Sequence, residues 1–104
     1  MAWIILVVSG ILEAVWATAL GRSDGLSQRG PTAVFVVALL LSMAGLAQAM
    51  RTIPTGTAYA VWVGIGASLT VVYAMVTGTE PITLWRSIFL ALIIAGIIGL
   101  KATS

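Results

Sequence analysis

AWIILVVSGILEAVWATAL, residues 2–20, is apolar almost throughout, yet it keeps one carboxylate, Glu13, near its centre. A helix of this length rises about 28 Å, which is close to the ~30 Å hydrocarbon core of a bilayer. The run has no basic leader segment and is longer than the apolar part of a typical signal peptide. We therefore expect it to be a membrane span of the mature chain.

Three more apolar runs follow, at residues 31–50, 55–77 and 84–101. The chain of 104 residues is 61% hydrophobic and only 8% charged, which is not the composition of an ordinary soluble domain. Backbone polar groups in lipid must be hydrogen-bonded within their own segment, so these runs predict helices. No alternation over about ten residues indicates barrel strands. The predicted fold is all-α and integral to the membrane, a single four-helix transmembrane domain over residues 1–104.

The connections between the predicted spans are short, so neighbouring helices run antiparallel and both termini lie on one side. That side carries Arg51 and Lys101, and the opposite side carries Arg22, Arg29 and Arg86. Orientation in a membrane normally follows an excess of Lys and Arg in the cytoplasmic loops. Because two residues against three is almost no excess, we expect the chain to insert in both orientations.

Glu13 lies about 15 Å deep in its span, near the bilayer midplane. An ionised side chain there costs at least about 2.5 kcal/mol on insertion scales. None of the Lys and Arg residues lies within a span to pair with it. One interpretation is a protonated carboxyl that holds a neighbouring helix by a hydrogen bond. We favour a binding site in which a proton or a cationic substrate neutralises the carboxylate.

Other residues of the first two spans fit such a site. Gly10 shares a helix face with Glu13 and leaves room beside it, and Trp16 lies close to that face. The Trp16 indole N–H needs an acceptor in lipid, and Glu13 is the nearest strong one. Ser42, a polar residue inside the second span, is placed to orient the carboxylate. The alternative role for each of these residues is helix packing.

The third span contributes aromatic residues and glycines. Tyr59 and Trp62 are three residues apart, so they project together and offer π-faces that attract cations. Their alternative role is also packing. Gly64 and Gly66 lie on different faces, where they loosen the helix or let another backbone approach closely.

In the fourth span, small residues repeat every four positions, at Ala91, Ala95 and Gly99. Such a ridge allows close helix contact, so we interpret this span as an assembly helix. Four thin helices can scarcely enclose an aqueous path alone, whereas a dimer could enclose one with two Glu13 carboxylates facing it. Copies inserted in opposite senses would form an inverted pair, which is the architecture that transporters use for alternating access.

The sequence resembles the small multidrug resistance family over essentially its whole length. The resemblance is carried by Glu13, by IPTGTAYAVWVGIGA (residues 53–67) and by the glycine-bearing fourth span. Within the family it is most similar to the guanidinium-exporter branch. Gly10, the EAVW segment with Trp16, and GLKATS with Lys101 support that placement.

The resemblance implies an antiparallel homodimer of dual topology in the inner or plasma membrane, which exports guanidinium in exchange for protons. By matching position, Glu13 would bind substrate and proton in turn. Trp16 and Ser42 would hydrogen-bond Glu13, while Tyr59 and Trp62 would line the site. The family usually has a lysine just after the first span, where this chain has Gly21 followed by Arg22, and we assign Arg22 no role from the sequence.

The sequence leaves other functions open. The main alternative is a broad quaternary-ammonium or multidrug exporter of the same family, and a second is a non-transporting subunit that uses Glu13 only for assembly. A channel is disfavoured, because a lone central acid that needs neutralising suits an exchanger better. Without a nucleophile–base pair, histidine or cysteine, we expect no enzyme, metal site or cofactor. Nothing in the charge pattern indicates nucleic-acid binding.

Overall fold

The computed structural model describes residues 1–103, which form four helices and contain no strand. The helices are α1 (Ala2–Arg22), α2 (Arg29–Ala49), α3 (Thr55–Val76) and α4 (Leu84–Ala102). All four are long and apolar enough to cross a membrane, so the predicted all-α, membrane-integral fold is confirmed. The 19 to 22 residues of each helix give a rise of about 28 to 33 Å.

The first helix ends later than the hydropathy of the sequence indicates. It continues through Arg22, and Ser23 then closes it with a compact turn. The buried Ser23 hydroxyl donates to the Leu20 carbonyl at 2.7 Å and accepts from the Leu26 backbone N–H at 3.0 Å. Similarly, α2 begins at Arg29 rather than at the first apolar residue. Hydropathy marks where lipid begins, whereas hydrogen bonding decides where the helix ends.

The helices lie in a flat arrangement whose principal extents are 40 × 34 × 17 Å. Helix α1 packs against both α2 and α3, and α4 packs chiefly against α3. A single helix with its side chains is about 10 Å wide, so the molecule is less than two helices thick. Most of each helix surface therefore remains open to lipid or to another protein.

A small apolar core joins the first three helices. Leu6, Leu46, Val61 and Trp62 are buried there, one or two from each helix. Ile53 in the short α2–α3 connection joins the same core, which pins that turn against the bundle.

Helix α4 contributes no buried residue within the described part of the chain. It contacts α3 through Ile97, which lies against Gly64. Its N-terminus is capped by Thr83, whose hydroxyl accepts from the Arg86 backbone N–H, and Arg86 pairs with Glu80 at 2.5 Å. The helix is thus well formed locally but weakly held by the rest of the protomer.

Candidate functional site

Glu13 projects from the middle of α1 toward α3, where Gly66 makes room for its carboxyl group. A Cβ atom at position 66 would overlap the Glu13 carboxyl. One turn earlier on α1, Gly10 lies against Ile65 and the backbone carbonyl of Trp62. The two predicted glycines therefore bring α1 and α3 together at the carboxylate.

One oxygen of the Glu13 carboxyl, Oε1, is buried and has no hydrogen-bond partner among residues 1–103. A buried carboxyl oxygen without a donor costs free energy unless a ligand or proton satisfies it. The ion pair that the described residues form, Arg86–Glu80, lies at the start of α4, away from the middle of the spans. Glu13 thus offers an unoccupied acceptor within the span.

The family resemblance implies a hydrogen bond from Ser42 to Glu13, but the protomer does not form it. Its fully buried hydroxyl donates to the Ser9 backbone carbonyl at 2.7 Å and accepts from the Trp62 indole N–H at 3.0 Å. The hydroxyl proton is already used, so Ser42 cannot also donate to the carboxylate in this conformation. Ser42 instead links all three helices of the site through one side chain.

Trp16 also makes a contact that differs from the prediction. Its ring packs edge-on against Phe35 of α2, with centroids 5.9 Å apart and an interplanar angle of 67°. The Trp16 indole nitrogen is buried without a hydrogen-bond partner within residues 1–103, so it does not donate to Glu13 in the protomer. The α1–α2 contact therefore turns the indole toward α2.

Tyr59 and Trp62 lie side by side on α3, as their spacing predicts. Their ring centroids are 5.8 Å apart and tilted by 36°. Trp62 is buried with 6% exposed, whereas Tyr59 is 54% exposed. The pair therefore extends from the protomer core to its surface, with the phenol at the outer edge.

The remaining predicted residues lie away from the carboxylate. Gly64 faces α4, where Ile97 and Ile93 pack against it, while Gly66 faces α1. Ala91, Ala95 and Gly99 are exposed on α4. The structure thus brings Gly10, Glu13 and Gly66 together at the α1–α3 contact and leaves the α4 ridge uncovered.

The chemistry of this arrangement suits an organic cation. It combines a buried carboxyl oxygen that has no hydrogen-bond partner with the aromatic faces of Tyr59 and Trp62, and the Trp62 indole N–H is already donated to Ser42. No group of three His, Cys, Asp or Glu side chains within residues 1–103 is placed to share a metal ion.

Comparison with known proteins agrees with this chemistry. The family model described as Small Multidrug Resistance protein matches residues 1–93. This chain belongs to the small multidrug resistance family. A protein named guanidinium exporter from Yersinia pseudotuberculosis serotype I (strain IP32953) is 50% identical over 104 residues, which cover 100% of both chains.

Two more small multidrug resistance relatives carry the same name. The guanidinium exporter of Escherichia coli (strain K12) is 48% identical over 100% of this chain and 99% of its own length. The guanidinium exporter of Proteus vulgaris is 43% identical over 100% of both chains. The family is one of membrane transporters, and this chain matches its members from end to end.

Three residues that contact the candidate site were not predicted from the sequence. Ser9 supplies the carbonyl that Ser42 bonds, and Gly45 on α2 packs directly against the Ser9 side chain. Phe35 receives the Trp16 ring. A helical-face argument could have found Phe35, because it lies seven residues before Ser42 and so shares its face of α2. No sequence pattern distinguished Ser9 and Gly45 from small residues that serve only helix packing.

Proposed function

We propose that this protein exports guanidinium and small guanidinyl cations in exchange for protons. The observation that carries the proposal is the buried, unbonded oxygen of Glu13 within a membrane-spanning helix. A carboxylate in that position needs a counter-ion, and no Lys or Arg side chain within residues 1–103 forms an ion pair with it. The relatives at 43% to 50% identity, each named guanidinium exporter, support guanidinium as that counter-ion.

Guanidinium matches the site in shape as well as charge. Its planar fork of N–H groups can donate two parallel hydrogen bonds to one carboxylate. The faces of Tyr59 and Trp62 attract a cation within about 6 Å of the ring centre. Substrate and proton compete for the same Glu13 oxygens, so binding of one expels the other. This competition couples outward movement of the cation to inward movement of protons.

The functional unit that we propose is an antiparallel homodimer of dual topology in the cell's inner or plasma membrane. The uncovered surface of α4 and the thinness of the protomer support assembly. Two copies inserted in opposite senses would create an inverted repeat around the paired Glu13 carboxylates, with alternating access on either side.

A broad quaternary-ammonium exporter is the alternative within the same family. The bulk of Trp16 supports the smaller substrate, because Trp16 lies about one helical turn from Glu13 on α1 and is packed against Phe35. The names of the relatives support it too.

The test uses purified protein in liposomes with an acidic interior and labelled guanidinium outside. Protons leaving through the protein should drive uptake of label well above that of protein-free liposomes. Glu13→Gln keeps the shape of the side chain but not its charge, and it should reduce uptake to the protein-free level. Undiminished exchange by Glu13→Gln contradicts the mechanism, and uptake of tetraethylammonium without guanidinium supports the alternative.

A further inference from the structure

An open apolar groove with a volume of about 690 Å³ runs between α1, α2 and α3, away from the candidate site. Val15, Val34 and Val72 line it, one from each helix, and Glu13 is not among its lining residues. At one end of the groove stand Arg22 and Tyr73. The groove is thus apolar along its walls and cationic at its end.

The Arg22 guanidinium is held at this end by Tyr73. Its Nη2 group donates to the Tyr73 hydroxyl at 3.0 Å, and its Cζ atom lies 5.4 Å from the centre of the Tyr73 ring. Neither contact neutralises the positive charge. No carboxylate within residues 1–103 forms an ion pair with Arg22, in contrast to Arg86, which pairs with Glu80. Most of the Arg22 N–H donors therefore remain free for an anionic ligand.

The depth of the groove matches one leaflet of a bilayer. Its lining on α1 extends from Arg22, the last residue of the helix, back to Ile11. Eleven residues of helix rise about 16 Å, which is close to half of a ~30 Å hydrocarbon core. Arg22 and Tyr73 then lie at the level of the lipid headgroups, where such side chains are commonly found.

We propose that this groove binds one anionic glycerophospholipid, with an acyl chain between the helices and the phosphate on Arg22. The apolar walls match the acyl chain, and the uncompensated guanidinium matches the phosphate. Basic pockets between transmembrane helices bind anionic headgroups in this way. An arginine presents a planar fork of N–H donors to phosphate, which a lysine cannot do. The proposal thus assigns a function to Arg22, which follows the first span.

The experiment is native mass spectrometry of the full-length protein, released from detergent with equal amounts of dioleoyl phosphatidylglycerol and dioleoyl phosphatidylcholine. Because the acyl chains are identical, any preference reports the headgroup. One cationic side chain near the surface should favour the anionic lipid about fivefold. Arg22→Gln should reduce that preference to about one. Arg29→Gln removes an exposed cation near the same membrane face, outside the groove, and should leave the preference unchanged.

A second variant tests whether the acyl chain occupies the groove. Val72→Trp fills the groove from its α3 wall and should lower retention of phosphatidylglycerol at least severalfold, with the dimer fraction unchanged. Equal retention of the two lipids by the wild-type protein overturns the proposal. So does an equal loss of preference in Arg22→Gln and Arg29→Gln, which would indicate diffuse surface attraction. Loss of dimers in Val72→Trp with unchanged lipid retention would show that a second copy of the chain occupies the groove.

Discussion

Glu13 has an unbonded oxygen, while Ser42 of α2 and Trp62 of α3 bond to each other. The Ser42 bond reaches the Ser9 carbonyl, which is one turn before Glu13 on the same helix. The carboxylate is therefore positioned through backbone and packing, with its own hydrogen-bonding capacity left for a ligand. That arrangement makes the charge state of Glu13 the main variable of the site.

We predict that guanidinium affinity depends on pH through Glu13. Only the ionised carboxylate binds the cation, so affinity is constant above the pKa of Glu13 and falls about tenfold per pH unit below it. Titration by calorimetry across pH 5 to 9 measures the affinity for guanidinium. Proton release on binding is followed in weak buffer. Affinity that is independent of pH over the range, with no protons released, contradicts competition at one carboxyl.

We predict that Trp16 limits the size of the substrate. Its ring fills the space between the Glu13 helix and Phe35, so Trp16→Gly should open that space to bulkier cations. Transport of a large aromatic cation relative to guanidinium should rise about tenfold or more, which corresponds to ~1.4 kcal/mol of discrimination.

The matched control for this variant is Trp85→Gly, which removes an exposed tryptophan at the start of α4. Its substrate preference should equal that of the wild-type protein. An unchanged preference in Trp16→Gly would show that other residues set the size limit.

At the scale of helices, glycines set the distances between neighbours. Gly10 and Gly66 close the α1–α3 contact on either side of the carboxylate, and Gly45 closes the α1–α2 contact against Ser9. Tight packing of small residues supplies much of the association energy between membrane helices, because lipid and helix surfaces are similarly apolar. The Ser42 hydrogen bonds depend on the α1–α2 distance, which Gly45 sets.

We predict that Gly45→Ala destabilises the protein by pushing α2 away from α1. The new Cβ would overlap the Ser9 hydroxyl, and overpacking of this kind costs about 1–3 kcal/mol. The double variant Ser9→Ala, Gly45→Ala removes the overlapping hydroxyl and should regain part of that loss. Thermal unfolding in detergent measures the loss of stability in Gly45→Ala and its partial recovery in the double variant. Guanidinium affinity is the second readout.

Gly56→Ala is the control for this experiment, since nothing lies within 4 Å of a Cβ at that position of α3. It should leave the unfolding temperature equal or slightly higher, because alanine favours helix over glycine. Equal behaviour of Gly45→Ala and Gly56→Ala would contradict a steric role for Gly45.

At the scale of the molecule, the flat protomer leaves large apolar surfaces uncovered. Helix α4 has no buried residue within the described part of the chain. Near its C-terminus, the Lys101 Nζ atom lies 5.2 Å from the centre of the Trp3 ring, near the N-terminus of α1. The start of α1 and the end of α4 therefore lie on the same side. The uncovered apolar surface of α4 supports an assembly in which copies of the chain cover one another.

We predict that the chain inserts in two orientations in roughly equal amounts. Two cationic residues lie on one side of the membrane and three on the other, so the charge bias is small. They are Arg51 and Lys101 on the first side, and Arg22, Arg29 and Arg86 on the second. The protein has no cysteine, so Ala102→Cys creates a unique label site near the terminus. About half of it should react with an impermeant thiol reagent added to cells, and the rest only after permeabilisation.

Adding charge to one side is the internal control for orientation. Ser27→Lys with Gln28→Lys should retain the α1–α2 loop in the cytoplasm and shift labelling of Cys-bearing chains toward the outside. Labelling of the Ala102→Cys protein from one side alone contradicts dual topology.

The sequence alone determined the four membrane helices and singled out Glu13, because both follow from local properties. Hydropathy over about 20 residues decides whether a segment enters lipid, and the free energy of a charge in lipid depends on its depth. The spacing of Tyr59 and Trp62 likewise placed their rings together, since three residues along a helix share a face.

Only the tertiary structure decided which partners Ser42 and Trp16 take. Ser42 bonds Ser9 and Trp62 rather than Glu13, and Trp16 turns to Phe35. These choices depend on the rotation and separation of helices, which small residues such as Gly45 and Gly66 set through contacts across the bundle. Hydropathy carries no information on such contacts, because glycine and alanine are similarly compatible with lipid, yet the single Cβ atom by which they differ determines how closely two helices approach.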